Sequence, residues 1–334
     1  MKVRQYGRTG LFVPELSIGT ASFGATDFSR NNPLVDEEAA RRQVAIALDA
    51  GANLFDTADG YAKGNSELFL GRALKSLGIK RRDVLISTKA GLATGPGANH
   101  RGASRANLVD AVTASLERLG VDHIDIYHVH LPDTFTPIEE TARALEDIAT
   151  RGFARYLACS NWRPWRIMKA IGLAERNGWR QFDGVEAYYS LVGRDIEREL
   201  VTLLKDEGLG LLAYSPQARG LLSGTSYSGT GPIPVPPDRL AVCLQAMRGI
   251  TAARGISLSR LAVAWALAKP FVSSVIIGAS SEAQLKENLR AAEVALTGEE
   301  TSLLDQASAL APEYPEWLEP FAVQQRTPKN RNTA

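Results

Sequence analysis

Eight short apolar segments alternate with amphipathic segments along the chain, and this alternation constrains the fold more than any other feature. The apolar segments are residues 16–19, 52–56, 84–89, 124–130, 156–160, 184–186, 209–214 and 275–277. Helical periodicity is found at residues 37–50, 65–77, 105–119, 138–150, 165–177, 195–207, 257–268 and 282–294. Repeated strand–helix units predict parallel strands joined by crossover helices. Eight units in 334 residues predict a closed (β/α)8 barrel, or TIM barrel, rather than an open sheet.

Capping residues and irregular segments complete this prediction. Asp36, Ser104, Ser257 and Ser281 stand where helices begin and are expected to cap them. Segments 3–6 and 11–13 flank G-R-T-G and predict a hairpin that plugs the bottom of the barrel. A Gly-, Ser- and Pro-rich excursion at 215–237 and a tail at 312–334 show no periodicity, and the tail is expected as a C-terminal loop over the barrel mouth. We therefore predict a single domain over 1–334, with the barrel in about 1–311.

Charge and composition exclude several function classes. The formal charge is +1 with both signs interspersed, so nothing favours a nucleic-acid or anionic-membrane partner. No apolar stretch approaches the roughly 20 residues of a membrane span, and no signal-peptide core is found at the N-terminus. Cys159 and Cys243 lie in apolar surroundings and are predicted to be reduced core thiols of a cytoplasmic protein.

Four polar side chains stand at or just beyond predicted strand ends. Asp56 ends the second strand, Lys89 the third and His130 the fourth, while Tyr61 follows Asp56 across a short turn. In a barrel these ends meet at one mouth. Each residue alone has an ordinary interpretation, such as a helix cap, a rim charge, a core imidazole or a loop aromatic. Because a buried Asp56 needs a cation and Lys89 is placed to supply it, we interpret the four as one site.

The H-x-H pair formed by His128 and His130 raises the alternative of a catalytic metal. Such sites take further histidines from later strands. The other histidines, His100 and His123, both precede this strand. We therefore predict no catalytic metal and a supporting role for His128.

Seven motifs, in order, resemble those of the aldo-keto reductase family, and the resemblance covers nearly the whole chain. The motifs are F-D-T-A-D-G-Y (55–61), S-T-K (87–89), S-L-E-R-L-G-V-D-H-I-D-I-Y-H-V-H-L-P-D (115–133), C-S-N-W (159–162), A-Y-Y-S-L-V-G-R (187–194), A-Y-S-P (213–216) and I-I-G-A-S-S-E-A-Q-L-K-E-N-L (276–289). The resemblance implies that Asp56, Tyr61, Lys89 and His130 are a catalytic tetrad.

The residue types suit carbonyl reduction, which needs a hydride on carbon and a proton on oxygen. Tyr61 would supply the proton, although a phenol has a reference pKa of about 10. The Lys89 ammonium is expected to lower that pKa, and Asp56 to keep Lys89 charged and oriented. His130 would donate a hydrogen bond that orients the substrate oxygen.

The resemblance also implies a nicotinamide cofactor bound without a Rossmann fold. The closest match to a dinucleotide fingerprint, G-P-G-A-N-H at 95–100, fails at its last position. The residues implied in cofactor binding are Thr20, Ser160, Asn161, Glu186, Tyr214, Ser215, Gln217, Arg219, Gly220, Gly278, Ser280, Gln284 and Asn288. Among them, Ser160 and Asn161 would hold the carboxamide and Tyr214 would stack on the nicotinamide ring.

Five positions depart from the common family pattern: Glu186, Gln217, Arg219, Thr225 and Ser280. Glu186 stands where glutamine is usual, and Ser280 where many members carry a basic residue for the adenosine 2′-phosphate. Arg219 is the candidate for a displaced phosphate clamp. We therefore expect NADP(H) to be preferred and NAD(H) to be accepted.

Substrate choice depends on residues outside the tetrad. The expected substrate-pocket residues are Phe23, Trp162, Trp317 and Phe321. Three functions stay open at this point: an NADPH-linked reductase of aldehydes or ketones, an NAD-linked dehydrogenase of sugars or other secondary alcohols, and a cofactor-sensing regulatory subunit. The first two predict a small carbonyl or alcohol as the partner, and the oligomeric state is left open.

Overall fold

A hairpin and a closed parallel barrel make up the strands of the computed structural model, which describes residues 1–24, 35–224 and 235–327. The hairpin pairs β1 (Val3–Gln5) with β2 (Phe12–Pro14) in antiparallel register. The barrel strands are β3 (Leu16–Gly19), β4 (Leu54–Asp56), β5 (Leu85–Ala90), β6 (Ile124–Val129), β7 (Ala154–Ser160), β8 (Gly184–Tyr188), β9 (Gly210–Tyr214) and β10 (Ser274–Gly278). Neighbours in sequence are neighbours in the barrel, and β10 closes it against β3. The predicted (β/α)8 fold and its N-terminal hairpin are confirmed.

Helices surround the barrel and connect its strands. They are α1 (Glu37–Asp49), α2 (Asn65–Ser76), α3 (Arg105–Leu119), α4 (Ile138–Thr150), α5 (Pro164–Asn177), α6 (Leu200–Glu207), α7 (Pro237–Arg254), α8 (Leu258–Leu267), α9 (Glu282–Leu289), α10 (Gly298–Ala307) and α11 (Glu319–Arg326). Two predicted helices are shorter than expected. Segment 195–207 divides into a 3-10 turn, Asp195–Glu197, and α6, while segment 282–294 divides into α9 and a 3-10 turn, Arg290–Glu293.

The four predicted helix caps are confirmed. Asp36, Ser104, Ser257 and Ser281 each accept a hydrogen bond from the backbone N–H three residues later. These bonds satisfy donors that a helix N-terminus otherwise leaves unpaired.

Three helices were not predicted, because the sequence signal of each is weak or partial. In α7 only a narrow stripe of Cys243, Met247 and Ile250 is buried, so its polar majority hides the helical period. A capping box formed by Thr297 and Glu300 begins α10, and the sequence T-G-E-E could have revealed it.

The tail was predicted to be aperiodic, and this is wrong for its described part. Residues 319–326 form α11, and the apolar residues around it recur at helical spacing. Tyr314, Trp317 and Phe321 are 75%, 57% and 59% exposed, so the barrel does not bury them. Residues 225–234 of the long excursion and 328–334 of the tail lie outside the described residues.

Both cysteines are buried free thiols, as predicted for Cys159 and Cys243. Across the described ranges, no helix has the length and apolar character that crossing a membrane requires.

The barrel interior is filled from below by the hairpin. Tyr6 and Val13 are buried in one cluster with an inward layer of strand residues: Leu54, Ile126, Ala158, Leu212 and Ile276. Because strand side chains alternate, the residues two positions later face inward one layer higher. The apolar lower layer therefore supports whatever lies at the mouth.

Glycines at the first positions of two neighbouring strands make room for Tyr6. A Cβ atom built on Gly184 would overlap the Tyr6 hydroxyl and ring carbon Cζ, and one on Gly210 would overlap the Tyr6 ring. The tyrosine thus occupies the volume that two side chains would otherwise fill. The close packing of the barrel bottom depends on these glycines.

We predict that Gly184→Ala destabilises the protein, because the added methyl group overlaps the buried Tyr6 ring. Overpacking of this kind costs about 1–3 kcal/mol, measurable as a change in the free energy of unfolding in urea. Gly172→Ala in α5 is the matched control, since a methyl group added there meets no other atom within 4 Å. Equal stability of the two variants would show that Tyr6 moves aside without cost.

Candidate active site

A polar layer lies directly above the apolar layer of the barrel. Asp56, His128 and Ser160 follow the inward residues Leu54, Ile126 and Ala158 by two positions each, and all three polar residues are buried. Strand alternation therefore explains why an apolar strand runs into a carboxylate. The layer lies at the C-terminal ends of the strands, where the chemistry of a barrel is expected.

Lys89 is the cation that compensates Asp56. Its ammonium donates to Asp56 Oδ2 at 2.6 Å and to the Thr57 carbonyl at 3.0 Å. The lysine side chain is fully buried. Burial acts to lower the pKa of Lys89, but the charges of Asp56 and Glu186 outweigh it and raise the pKa above its ordinary value. Lys89 is thus held as an ammonium.

Ser87 and His128 support this pair from the inner side. Ser87 Oγ donates to the second Asp56 oxygen at 2.8 Å, and it lies 3.0 Å from His128 Nε2. Burial, then the charge of Lys89, lowers the pKa of His128 well below its usual range, so its imidazole is neutral. The supporting role predicted for His128 agrees with these contacts.

A second carboxyl faces the same ammonium. Glu186 on β8 is buried, and its Oε2 lies 3.3 Å from Lys89 Nζ. Burial, then the charge of Asp56, raises the pKa of Glu186 to about 8, against the lowering influence of Lys89. One ammonium therefore serves two buried carboxyls, a proximity that the sequence did not predict.

Ligand atoms of Asp56, His128 and Glu186 lie within 4.8 Å of one another, a separation that could hold a metal ion. The Lys89 ammonium contacts both carboxyls of this group, at 2.6 and 3.3 Å. The cation that balances these carboxyls is therefore part of the chain.

Tyr61 and His130 complete the cluster on its outer side. Lys89 Nζ lies 5.3 Å from the centroid of the Tyr61 ring. The Tyr61 and His130 rings meet edge to face with centroids 5.5 Å apart. All four residues of the predicted tetrad thus lie together at one mouth.

Burial has the largest effect on the pKa of both Tyr61 and His130. It raises the pKa of Tyr61 above the ordinary value of 10, and the nearby Lys89 offsets only part of the rise. The expected net lowering by Lys89 is therefore wrong for this structure, because desolvation of the phenolate outweighs one neighbouring charge. Burial and Lys89 lower the pKa of His130 to about 3, so His130 is a neutral imidazole with one N–H.

Left-handed backbone conformations mark the loops around this mouth. In the described chain, the non-glycine residues with positive φ are Ala62, Lys63, Asn161, Ser215, Ala218 and Arg219. All six lie in loops that follow barrel strands, two of them directly after Tyr61. Such conformations cost about 1–3 kcal/mol each and concentrate at functional sites. The sequence carries no signal for them, because none of these residues is glycine.

The residues implied in holding nicotinamide form one connected group. The Tyr214 hydroxyl donates to Asn161 Oδ1 at 2.8 Å, and Asn161 Nδ2 donates to Ser160 Oγ at 2.9 Å. Glu186 pairs with Ser160 in the strand register and accepts the Asn161 N–H at its backbone carbonyl. An aromatic ring, an amide and a hydroxyl thus meet at the ends of β7, β8 and β9.

The residues implied in holding the rest of the cofactor connect β9 to β10 and α9. Gln217 donates to Asn288 Oδ1 at 2.7 Å, and Asn288 donates to the Gly278 carbonyl at 3.0 Å. Ser280 donates through its backbone N–H and its hydroxyl to Gln284 Oε1, at 2.8 and 3.0 Å. Gly220 shares the left-handed turn of Arg219.

Thr20 lies beneath the mouth and is fully buried. Its hydroxyl bonds to the Asp56 carbonyl at 3.1 Å and lies 2.8 Å from Ser66 Oγ. These bonds give Thr20 a structural task in positioning β4. Its predicted role in cofactor binding stays a prediction.

The four expected substrate-pocket residues fall into two pairs. Phe23 and Trp162 are buried, and the Trp162 ring packs edge to face on Phe182 at 5.6 Å. Trp317 and Phe321 lie on the exposed tail, which Arg198 holds through ion pairs with Glu313 and Glu316 at 3.1 and 3.6 Å. Substrate binding by these residues stays a prediction.

Asp59 is a buried acid that the sequence interpretation passed over. It lies between Asp56 and Tyr61 in F-D-T-A-D-G-Y, and its carboxyl is buried beside the Gly60 backbone N–H. Burial, then the charge of Glu67, raises the pKa of Asp59 to about 7. Its position two residues before Tyr61 was the available signal.

A closed parallel barrel with a phenol, an ammonium and a neutral imidazole at one mouth defines a (β/α)8-barrel protein equipped for proton transfer. The sequence model of the "Aldo/keto reductase family" matches residues 15–309. This chain belongs to the aldo/keto reductase family, and membership of this family supports an oxidoreductase.

The relatives of this chain include potassium channel beta subunits and a reductase. A "Probable voltage-gated potassium channel subunit beta" of Arabidopsis thaliana is 34% identical over 313 residues, covering 88% of this chain and 92% of that protein. A protein of the same title from Oryza sativa subsp. japonica is 35% identical over 314 residues, with the same coverage of 88% and 92%. "Versiconal hemiacetal acetate reductase" of Aspergillus parasiticus is 30% identical over 335 residues, covering 92% of this chain and 96% of that protein.

We predict that Lys89→Met destabilises the protein more at pH 8 than at pH 5. Without the ammonium, the buried Asp56 carboxyl has no cation beside it, so the folded variant must hold either an unpaired buried charge or a protonated acid there. The unfolded chain releases that proton at about pH 4, so the stability of the variant falls relative to the wild type as pH rises. A loss of about 3–5 kcal/mol is expected at pH 8.

Urea unfolding at both pH values measures this effect. Lys75→Met, which removes an exposed lysine of α2, is the control and should show a small and pH-independent change. A Lys89→Met loss that does not vary with pH would contradict the electrostatic interpretation.

Proposed function

We propose that this protein is an NAD(P)H-dependent oxidoreductase that reduces aldehyde or ketone carbonyls to alcohols. The observation that carries the proposal is the buried Asp56–Lys89 pair, joined at 2.6 Å, with the ammonium 5.3 Å from the Tyr61 ring centroid. A structural ion pair has no need of a phenol and a neutral imidazole beside it at a barrel mouth. A proton-transfer site needs both.

Each side chain has a distinct task in the proposed reaction. The nicotinamide, when bound, supplies hydride from C4 to the carbonyl carbon. Tyr61 donates its proton to the carbonyl oxygen, and Lys89 stabilises the phenolate that remains. His130, as a neutral donor, orients that oxygen beside Tyr61. In alcohol oxidation Tyr61 acts as the base.

The connected residues around the mouth suit a dinucleotide. Tyr214 offers a ring for stacking, and Asn161 and Ser160 offer polar groups to the carboxamide. The N-terminus of α9 begins at Ser281, and backbone N–H groups at such a terminus attract phosphate. Ser215, Gln217, Arg219 and Gly220 would cover the pyrophosphate, with Gly278, Ser280, Gln284 and Asn288 at the adenosine end.

We place the reaction in the cytoplasm, because the free thiols of Cys159 and Cys243 suit a reducing compartment. The proposed partner is a small carbonyl or alcohol. A secondary-alcohol dehydrogenase that uses NAD is the alternative within the same site.

A cofactor-sensing regulatory subunit is the second candidate. It is favoured by the names of the two plant relatives, probable potassium channel beta subunits that are 34% and 35% identical to this chain. Turnover separates the two functions. A panel of aldehydes and ketones, assayed with NADPH and NADH side by side, should give multiple turnovers for a reductase. Tight cofactor binding without turnover would favour the sensor.

We predict that Tyr61→Phe abolishes most carbonyl reduction while cofactor affinity is retained. The variant keeps the ring but loses the proton donor, so kcat/KM should fall by about 10²–10⁴-fold. Tyr127→Phe is the matched control: its hydroxyl bonds to the Leu108 carbonyl at 3.2 Å, away from the mouth. Full activity in Tyr61→Phe would refute the proposed mechanism.

We also predict a moderate preference for NADPH over NADH. Ser280 and Gln284 offer polar groups without charge, so Arg219 is the expected contact of the 2′-phosphate. One charge-assisted contact of about 1.5–3 kcal/mol corresponds to roughly 10- to 100-fold discrimination in kcat/KM. Ser280→Arg should increase the ratio of kcat/KM with NADPH to kcat/KM with NADH. Arg219→Ala should decrease that ratio. NADH as the better cofactor would contradict this prediction and favour the dehydrogenase.

A further inference from the structure

Two buried carboxyls contact the Lys89 ammonium at the barrel mouth, and their contacts differ. Asp56 accepts hydrogen bonds at both oxygens, from Ser87 at 2.8 Å and from Lys89 at 2.6 Å. Glu186 Oε2 lies 3.3 Å from Lys89 Nζ, and the Glu186 carboxyl also interacts with the Asp56 carboxyl. Asp56 thus has the shorter contact with Lys89, and Glu186 has the longer one.

Among the described residues that act on Glu186 or lie close to it, Lys89 supplies the positive charge. The titratable groups that interact with it or lie close to it are Asp56 of β4, Lys89 of β5, His128 of β6, Tyr61 of the turn after β4, Tyr214 of β9 and Tyr6 of the hairpin loop. His128 is neutral, and its Nε2 lies 4.0 Å from Glu186 Oε2. With Asp56 ionised, a neutral Glu186 leaves the cluster balanced, whereas an ionised Glu186 leaves it one negative charge in excess.

We propose that Glu186 is a proton-dependent positioning residue, an inference that rests on the proposed reductase function. With its carboxyl protonated, Glu186 leaves Lys89 bonded to Asp56 and beside Tyr61. When Glu186 loses that proton, its carboxylate competes with Asp56 for the ammonium and slows carbonyl reduction.

Two electrostatic effects connect Glu186 to the reaction. An extra negative charge raises the pKa of Tyr61, which makes the phenol a weaker acid toward the substrate oxygen. It also disfavours the negative charge that develops on that oxygen. Because burial raises the pKa of Glu186 to about 8, the change falls within a pH range where the enzyme can be assayed.

The pH dependence of carbonyl reduction in the wild-type protein and in Glu186→Gln tests the proposal. Glutamine keeps the shape of the side chain but has no ionisable proton. In the wild type we expect kcat/KM to fall by about ten-fold or more as Glu186 ionises, the factor that one pKa unit in Tyr61 represents. In Glu186→Gln that decline should be absent near pH 8. An unchanged decline in the variant would overturn the proposal.

Asp183→Asn is the control for removal of another acid, half-buried, with a raised pKa. Asp183 precedes β8 and accepts the Leu157 N–H at 2.9 Å, and burial raises its pKa as well. It has no contact with Lys89 among the described residues. The kinetic pH profile of Asp183→Asn should therefore match that of the wild type.

A second measurement needs no turnover. Since the pKa of Glu186 is raised in the folded state, folded Glu186 holds a proton that the unfolded chain has lost, and the stability it contributes falls from about pH 4.3 upward to about pH 8. Urea unfolding should show this slope, close to one proton, in the wild type relative to Glu186→Gln. The difference in carboxylic-acid infrared absorption between the wild type and Glu186→Gln should titrate near pH 8, whereas the band of Asp59, which titrates near pH 7, is common to both proteins.

These readouts separate the two failures. A wild-type protein that reduces no carbonyl, yet shows the titrating band and the stability slope, would refute the proposed function. The same result would support the claim that Glu186 holds a proton in the folded protein. Turnover with neither the band nor the slope would refute the Glu186 proposal alone.

Discussion

The buried ammonium of Lys89 is the interaction on which the rest of the mouth depends. It contacts Asp56 at 2.6 Å, the Thr57 carbonyl at 3.0 Å and Glu186 at 3.3 Å, all inside the barrel. Two carboxyls in such a place would be too costly to ionise without a cation. Because one ammonium serves both, small differences in hydrogen bonding decide which carboxyl keeps its charge. The same ammonium lies beside Tyr61, which connects the stability of the site to its chemistry.

The geometry of the barrel brings these polar groups together above an apolar layer. Inward residues of the strands change from apolar to polar within two positions, as Leu54 is followed by Asp56 and Ile126 by His128. The lower layer, closed by Tyr6, provides a close-packed base. The polar layer above it is buried, a condition under which fixed charges act strongly on a reacting group.

The loops carry the strain that the strands avoid. Left-handed conformations at Ala62, Lys63, Asn161 and Ser215 follow the ends of β4, β7 and β9. Connected hydrogen bonds hold several of these segments, as from Tyr214 to Asn161 and from Gln217 to Asn288. The strands that precede these loops are hydrogen-bonded into a closed barrel, and strained conformations persist where the surrounding structure fixes them. A regular barrel with strained loops at one end suits a site that binds a large cofactor.

The sequence by itself determined the barrel, its eight strands and the identities of the four residues Asp56, Tyr61, Lys89 and His130. Alternating periodicity is a local signal, and polar residues at strand ends are visible without coordinates. Tertiary structure alone decided that Glu186 meets Lys89 and that burial raises the pKa of Tyr61. Both depend on distances across the barrel and on desolvation, which arise from side chains far apart in sequence. Burial and long-range charge are properties of the closed barrel, so no local pattern could reveal them.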